Sequence, residues 1–234
     1  MEKFNKELTI ESHLRNALPR LGVDTVLDVG ANEGQFATLL RYIGFEGEII
    51  SFEPSQAACA TLTARAARDP AWKAHQLALG DSTGTAELNV SGKSVFSSLH
   101  KPSSFGVEKY GASIEVTNTE TIQLDRLDSF LDQHLPDFEQ RRVYLKMDTQ
   151  GHDFAVMQGA GAYASRFAGL QSEISVTPIY EGVPDYIEAI SHYRSLGYEV
   201  TGMFTVNRHR TTGHVIEFDC TMAPRQIPSE PVSG

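Results

Sequence analysis

The sequence predicts a doubly wound, mainly parallel α/β sheet that closes with an antiparallel hairpin. Short apolar, β-branched runs alternate with amphipathic stretches of helical length, and glycine or proline stands at most of the joins. The last two strand-like runs are separated only by Asn207 to Gly213, too few residues for a crossover, so they pair antiparallel. A chain of 234 residues suits one large domain of this kind.

Each element follows from local pattern. Phe4, Leu8, Leu14, Leu18 and Leu21 share a helical face, with Glu2/Lys6 and Glu11/Arg15 as exposed pairs, so residues 1–22 read as an N-terminal helical arm. The run 25–29 ends at Gly30 and is followed by an amphipathic helix over 33–43 that Gly44 stops. The run 48–53 is cut by Pro54 ahead of an Ala-rich helix whose N-cap is Ser55. A third run, 72–79, leads to Gly80 and Asp81, and 85–90 reads as an added strand. Residues 91–113 are rich in Ser, Gly and Lys without a period and read as a long, lid-like loop. Strand 115–124, helix 127–134, strand 143–148, helix 154–158, strand 170–176, helix 185–196 and strands 199–206 and 214–222 follow. Residues 23–224 thus form a single domain, with 225–234 expected as a disordered tail.

Composition narrows the function. Twenty Lys and Arg against thirty Asp and Glu give a net charge of −10, which offers no grip for a phosphate backbone, so no nucleic-acid partner is expected. A hydrophobic fraction of 41% fits a globular chain, and no stretch is apolar over the ~20 residues that a membrane span needs. The charged N-terminus lacks a signal-type apolar core, so a cytoplasmic location is expected. Cys59 and Cys220 lack metal-site spacing and read as buried thiols; oligomeric state is not legible.

Ligands of open α/β sheets bind at the carboxyl ends of the strands, so polar residues there carry most weight. The first strand ends Asp28-Val29-Gly30-Ala31-Asn32-Glu33-Gly34, where Gly30 and Gly34 allow a tight turn. A dinucleotide fingerprint would have glycine in place of Asn32, which argues against an NAD-dependent oxidoreductase. Glu53 ends the second strand at about the 20-residue offset used to hold ribose hydroxyls; a purely structural role would be a carboxylate at a helix N-terminus. Asp81 can accept from an adenine amino group. Lys146-Met147-Asp148-Thr149-Gln150-Gly151-His152-Asp153 and Glu173 close the set, so carboxylates surround one crevice.

The segments VLDVGANEGQF, ISFEPS, LALGDSTG, FSSL, QLDRLDSF, YLKMDTQGHDFAVMQG and HVIEFDCTM resemble the FkbM family of S-adenosylmethionine-dependent methyltransferases, from about residue 24 to 222. The resemblance implies a seven-stranded Rossmann-like sheet with the hairpin at its end, S-adenosyl-L-methionine as cofactor, and O-methylation of a sugar, glycolipid or polyketide-type hydroxyl. By position, Asp28, Gly30, Ala31, Asn32, Gly34 and Phe36 would border the methionine part of the cofactor. Glu53 would hold the ribose between Pro54 and Ser55, Leu79, Gly80 and Asp81 would border adenine, and Asp148 would face the amino group or the reacting centre.

A hydroxyl must lose its proton to attack a methyl group, so a base is wanted; Asp148, His152 and Glu173 are the candidates, with Lys146 pairing a carboxylate or substrate. His152 could instead be an exposed residue at a helix start, and Lys146 a lysine that snorkels outward. Asp148, Asp153, Glu173 and His152 could alternatively ligate Mg²⁺ or Mn²⁺, though Asp153 equally suits an N-cap before Phe154. Ser97, Ser98, Leu99 and Lys101 of the loop offer acceptor contacts, and Tyr110, Tyr180 and Glu181 could line the other side. A non-catalytic nucleoside-binding or scaffold protein would keep Gly30, Gly34 and Glu53 without needing Asp148 or a lid.

Overall fold

The computed structural model describes residues 9–225. Helix α1 (Ile10–Arg20) begins at Thr9, whose hydroxyl accepts from the Ser12 N–H, and it buries Leu14, Ala17 and Leu18. The upstream Phe4, Leu8 and Glu2/Lys6 lie outside the described residues, as does the tail beyond 225. Strand β1 (Thr25–Val29), helix α2 (Gln35–Tyr42), strand β2 (Glu48–Phe52), helix α3 (Gln56–Ala66) and strand β3 (Trp72–His75) make two right-hand repeats of one unit. All five residues of β1 are buried, because helices cover both faces of the parallel sheet. Ser55 occupies the N-cap position of α3, but its side chain makes no capping bond.

The apolar run 72–79 divides. Strand β3 pairs with β2 at the sheet edge, while β4 (Ala78–Gly80) turns away and pairs with β6 (Val116–Arg126). β5 (Gly84–Ser91) flanks β6 on its other side, so β4, β6 and β5 form a small second sheet. The main sheet is completed by β7 (Val143–Met147), β8 (Gly169–Ser175), β9 (Tyr198–Arg208) and β10 (Val215–Pro224), in the order β3-β2-β1-β7-β8-β10-β9. It has seven strands, parallel except for the antiparallel pairing of β10 with β8 and β9. Helices α5 (Leu127–His134), α6 (Asp153–Gly159) and α7 (Tyr186–Ser195) cover it. Its main apolar core runs from Leu27 and Ile50 through Leu145 and Met157 to Phe218 and Met222.

Two local expectations are corrected. The segment 91–113 is not a structureless loop: it holds helix α4 (Ser104–Tyr110), capped by Ser103, and two 3-10 turns. Seven residues are too few to show a helical period, and the segment is tied to the body by Ser98 Oγ donating to the Gln150 carbonyl at 2.6 Å and Tyr180 OH donating to the Phe96 carbonyl at 2.9 Å. Asp153 is the first residue of α6 rather than a cap before Phe154; its carboxylate accepts from Thr149 and from Ser172 Oγ. Cys59 and Cys220 are buried free thiols.

Candidate active site

The carboxyl ends of β1, β2, β7, β8 and the facing part of β10 open into one cavity of about 500 Å³, within the ~300–1,000 Å³ of small-molecule sites. On one side lies the turn after β1. Gly30 has φ 75°, and a Cβ there would meet the Asp148 carbonyl oxygen at 2.0 Å, so only glycine lets the ends of β1 and β7 close together. Asn32, at φ 48°, takes the left-handed conformation that asparagine tolerates. Its N–H donates to Glu53 Oε2 at 2.8 Å, and the Ser55 N–H donates to Glu53 Oε1 at 2.9 Å. Burial raises the Glu53 pKa, against these two backbone donors. Each oxygen keeps a lone pair for a ligand donor. Beside it, the buried Oδ1 of Asn32 has no hydrogen-bond partner, so this corner is supplied with unfilled acceptors.

Lys146 sits at the centre. It is buried rather than snorkelling, with Nζ 3.0 Å from Asp28 Oδ1 and 3.5 Å from Asp148 Oδ2. Burial alone would discharge it, but the two carboxylates outweigh that and hold the ammonium charged. Asp28 itself is wholly buried beneath the cavity, also accepting from Ser51 Oγ, and so acts on the site through Lys146.

On the far side stand Glu173, Glu217 and Asp219. Gln150, at φ 53°, sends Nε2 to both Asp148 Oδ1 (3.0 Å) and Glu173 Oε2 (2.8 Å), and its Oε1 shares the one proton of the Tyr180 hydroxyl with the Phe96 carbonyl. Burial, then the neighbouring acids beginning with Asp148, raises Glu173 well above the carboxylate range. Burial with Asp148 nearby lifts Asp219 to about 6. His152, a candidate base whose alternative was an exposed residue at a helix start, is partly buried at the cavity wall, its Nδ1 3.3 Å from His100 Nε2. Burial and His100 push its pKa down to about 4, so it is neutral at pH 7.

The cavity lining therefore gathers Gly30, Ala31, Asn32, Phe36, Glu53, Pro54 and Leu79 with Lys146, Asp148, His152 and Glu173, and brings Ser97, Ser98 and Leu99 of the loop to the same space. Other expected residues stand apart. Gly34 packs against the Trp72 ring, Ser55 lies behind Glu53, Gly80 is covered by the His152 ring, and Asp81 is exposed with its carbonyl held by Arg126. Lys101 is exposed and contributes its carbonyl to the Glu181 N–H, while Tyr180 supports Gln150 from behind the wall. The carboxylate of Asp153 is consumed by Thr149 and Ser172, so it is not free to join Asp148 and Glu173 as a metal ligand. Among the described residues, no group of three His, Cys, Asp or Glu is placed to hold a metal ion.

Sequence reasoning passed over Glu217, Asp219 and Gln171. The signal was present in Val215 to Met222, where Glu217 and Asp219 alternate with the buried Ile216, Phe218 and Cys220. Such alternation puts both acids on one face of a strand. Which face meets the cavity follows only from the pairing of β10 with β8.

The family model described as the methyltransferase FkbM domain matches residues 28–200. Comparison with curated protein sequences finds no match. Among solved structures, the chain is similar to a precorrin-6y C5,15-methyltransferase from Geobacter metallireducens, at 10% identity and TM-score 0.48 over 95% of this chain and 93% of that one. It is similar to fibrillarin from Aeropyrum pernix with natively bound S-adenosyl-L-methionine, at 11% identity and TM-score 0.48 over 86% of this chain and 66% of that one. A putative RNA methyltransferase from Pyrococcus horikoshii aligns at 13% identity and TM-score 0.44, over 92% and 82% of the two chains. The family match spans the glycine turn after β1, the Glu53 strand end and the Asp148 strand end, and with it the chain belongs to the FkbM family of S-adenosylmethionine-dependent methyltransferases.

Proposed function

We propose that the protein is an O-methyltransferase acting on the hydroxyl of a small molecule, of the sugar, glycolipid or polyketide type. The observation that carries this reading is a single cavity that runs from Glu53 on the β2 side, past Asp148 at its middle, to Glu173 on β8. The acceptors at one end suit the donors of a nucleoside, and the carboxylates at the other suit the proton of an alcohol.

In this reading Glu53 accepts the two ribose hydroxyls, with Pro54 and Leu79 beside the base, and the Gly30 to Asn32 turn with Asp148 holds the amino-acid end. S-adenosylmethionine supplies an electrophilic methyl group on a sulfonium. Glu173 would take the acceptor's proton, so that the alcohol oxygen can attack the methyl group and the sulfur leaves as the neutral thioether of S-adenosylhomocysteine. Its buried setting makes it a stronger base than an exposed carboxylate, and a cationic ligand in the same cavity favours its ionised form. Gln150 fixes the spacing between Asp148 and Glu173, and Lys146 keeps Asp148 oriented. Ser97, Ser98 and Leu99 cover the acceptor, excluding water and limiting its motion, which is where much of the rate of a bimolecular transfer arises.

The test is release of S-adenosylhomocysteine from the purified protein across a panel of sugars, glycolipids and macrolide-type alcohols, with product mass spectrometry to place the methyl group. Methylation at oxygen supports the reading; methylation confined to carbon or nitrogen, or to RNA, overturns it.

A further inference from the structure

The sheet order separates the cavity into two ends. Glu53 lies on the β2 side of β7, whereas Glu173, Glu217 and Asp219 lie on the other side, on β8 and β10. Glu173 and Asp219 are register partners, and Glu217 stands two residues along β10 on the same face. Among the described residues that line the cavity, Lys146 is the one Lys or Arg, and it is already engaged by Asp28 and Asp148.

The hydrogen-bond donors to the three acids are neutral amides, Gln150 Nε2 to Glu173 at 2.8 Å, Asn207 Nδ2 to Glu217 at 3.0 Å and Gln171 Nε2 to Asp219 at 3.1 Å, while Lys109 and Lys146 act on Glu217 and Asp219 through charge alone. Glu217 is 4% exposed, so water does not compensate its charge. A second observation is independent of the acids. Gln171 lines the same cavity, is 3% exposed, and its Oε1 has no hydrogen-bond partner. With Nε2 committed to Asp219, the unfilled atom is another acceptor. This end of the cavity thus offers acceptors in excess, and among the described residues no Lys or Arg forms an ion pair with its three acids, the arrangement that an ammonium group with three donors and one positive charge completes. In the reading above the cofactor would not fill that need, since its one ammonium would be held beside Asp148 and a sulfonium donates no hydrogen bond.

Resting on the methyltransferase reading above, we propose that the acceptor carries a protonated amine besides its hydroxyl, an amino sugar or amino alcohol, and that Glu217, Asp219 and Gln171 bind this ammonium while the hydroxyl is presented to Glu173. A neutral polyol could donate to one or two of these oxygens but would leave their charge buried and uncompensated. Burial and Asp148 raise both acids, against Asn207, Lys109 and Tyr110 at Glu217 and against Gln171 and Lys146 at Asp219; Asp219, lifted to about 6, loses its proton as pH rises through that value, and an ammonium favours the ionised form of both. Binding therefore tightens as pH rises from 5 toward 7.

Calorimetry on the full chain tests this. S-adenosylhomocysteine is titrated first, and its failure to bind overturns the methyltransferase reading and this proposal together. The saturated protein then receives D-glucosamine, N-acetyl-D-glucosamine, D-glucose and a set of linear amino alcohols. Some amine is expected to bind at least about tenfold tighter than its acetylated or hydroxyl counterpart, with proton release in buffers of different ionisation heat. Asp219→Asn and Glu217→Gln should each reduce that preference while S-adenosylhomocysteine affinity stays within about twofold; both substitutions relieve repulsion, so the variants fold, and thermal melting verifies it. Equal affinity for charged and neutral members, no binding by any amine, or a Mg²⁺ titration that saturates in wild type and is lost in Asp219→Asn would each overturn the proposal.

Discussion

At the β2 end of the cavity one carboxylate, Glu53, is buried and receives two backbone N–H groups from the turns on either side of it. At the β10 end stand three carboxylates, Glu217 buried and Glu173 and Asp219 half-buried, whose hydrogen bonds come from side-chain amides. Backbone donors are part of the fold and cannot rotate away, so Glu53 is set in one orientation before any ligand arrives. Side-chain amides can follow a ligand, and uncompensated like charges raise one another, so the second end responds to what occupies it. Under the proposed function, the difference would match the two tasks of a transferase: a cofactor end that is the same in every turnover, and an acceptor end that must admit, ionise and release a variable molecule.

The largest effect expected is on chemistry at the acceptor end. Glu173→Gln keeps the amide network but removes the base, and kcat should fall by ~10²–10⁴-fold with cofactor affinity nearly unchanged. A kcat within about threefold of wild type would move the base role to Asp148 or His152. Next is the cofactor end: Glu53→Ala should weaken S-adenosylhomocysteine binding by roughly 100-fold, about 2.7 kcal/mol, read by calorimetry. Equal affinity would show that the rigid carboxylate serves the turn alone.

The smallest effect concerns stability and separates the ends by sign. Asp219 rises from 3.8 to about 6 on folding, so the native state binds more protons than the unfolded chain between those values, and stability is lost as pH rises through 6. Asp219→Asn should remove that loss and raise Tm at pH 7, by at most about 3 kcal/mol of stability and less after solvent screening, with no gain at pH 4. His152 works in the opposite sense: its pKa is depressed to about 4, so its contribution is lost as pH falls from 6.5 toward 4. A Tm unchanged at pH 7 in Asp219→Asn would mean that the acids are not strained in the empty cavity.

The placing of Gly30, Asn32 and Glu53 at one end of the cavity was legible in the chain because it is local. A strand, a glycine turn and an acid at the next strand end occur within a short stretch, and β1 and β2 are neighbours in both sequence and space. The loop contacts of Ser97 and Ser98 were legible for the same reason, although α4 within that segment was not. The acceptor end was only half visible. Glu173 and Asp148 stand at strand ends, but Glu217 and Asp219 come from the last strand, which enters the sheet antiparallel beside β8. Asp153 shows the reverse error, since its position before a helix suggested a cap while Thr149 in the preceding turn and Ser172 on β8 claim its carboxylate.

The sequence by itself determined the strand and helix order of the main sheet, though not α4 or the division of 72–79, together with the closing hairpin and the placing of Glu53 at a strand end, because periodicity, glycine turns and nearest-neighbour pairing are set over a few residues. Tertiary structure alone decided which acids face one another, that Lys146 is buried between Asp28 and Asp148, and that Gln171 is left with an unfilled acceptor. Those are consequences of strand register and burial between segments more than forty residues apart, where the sequence specifies each charge but not the charge it meets.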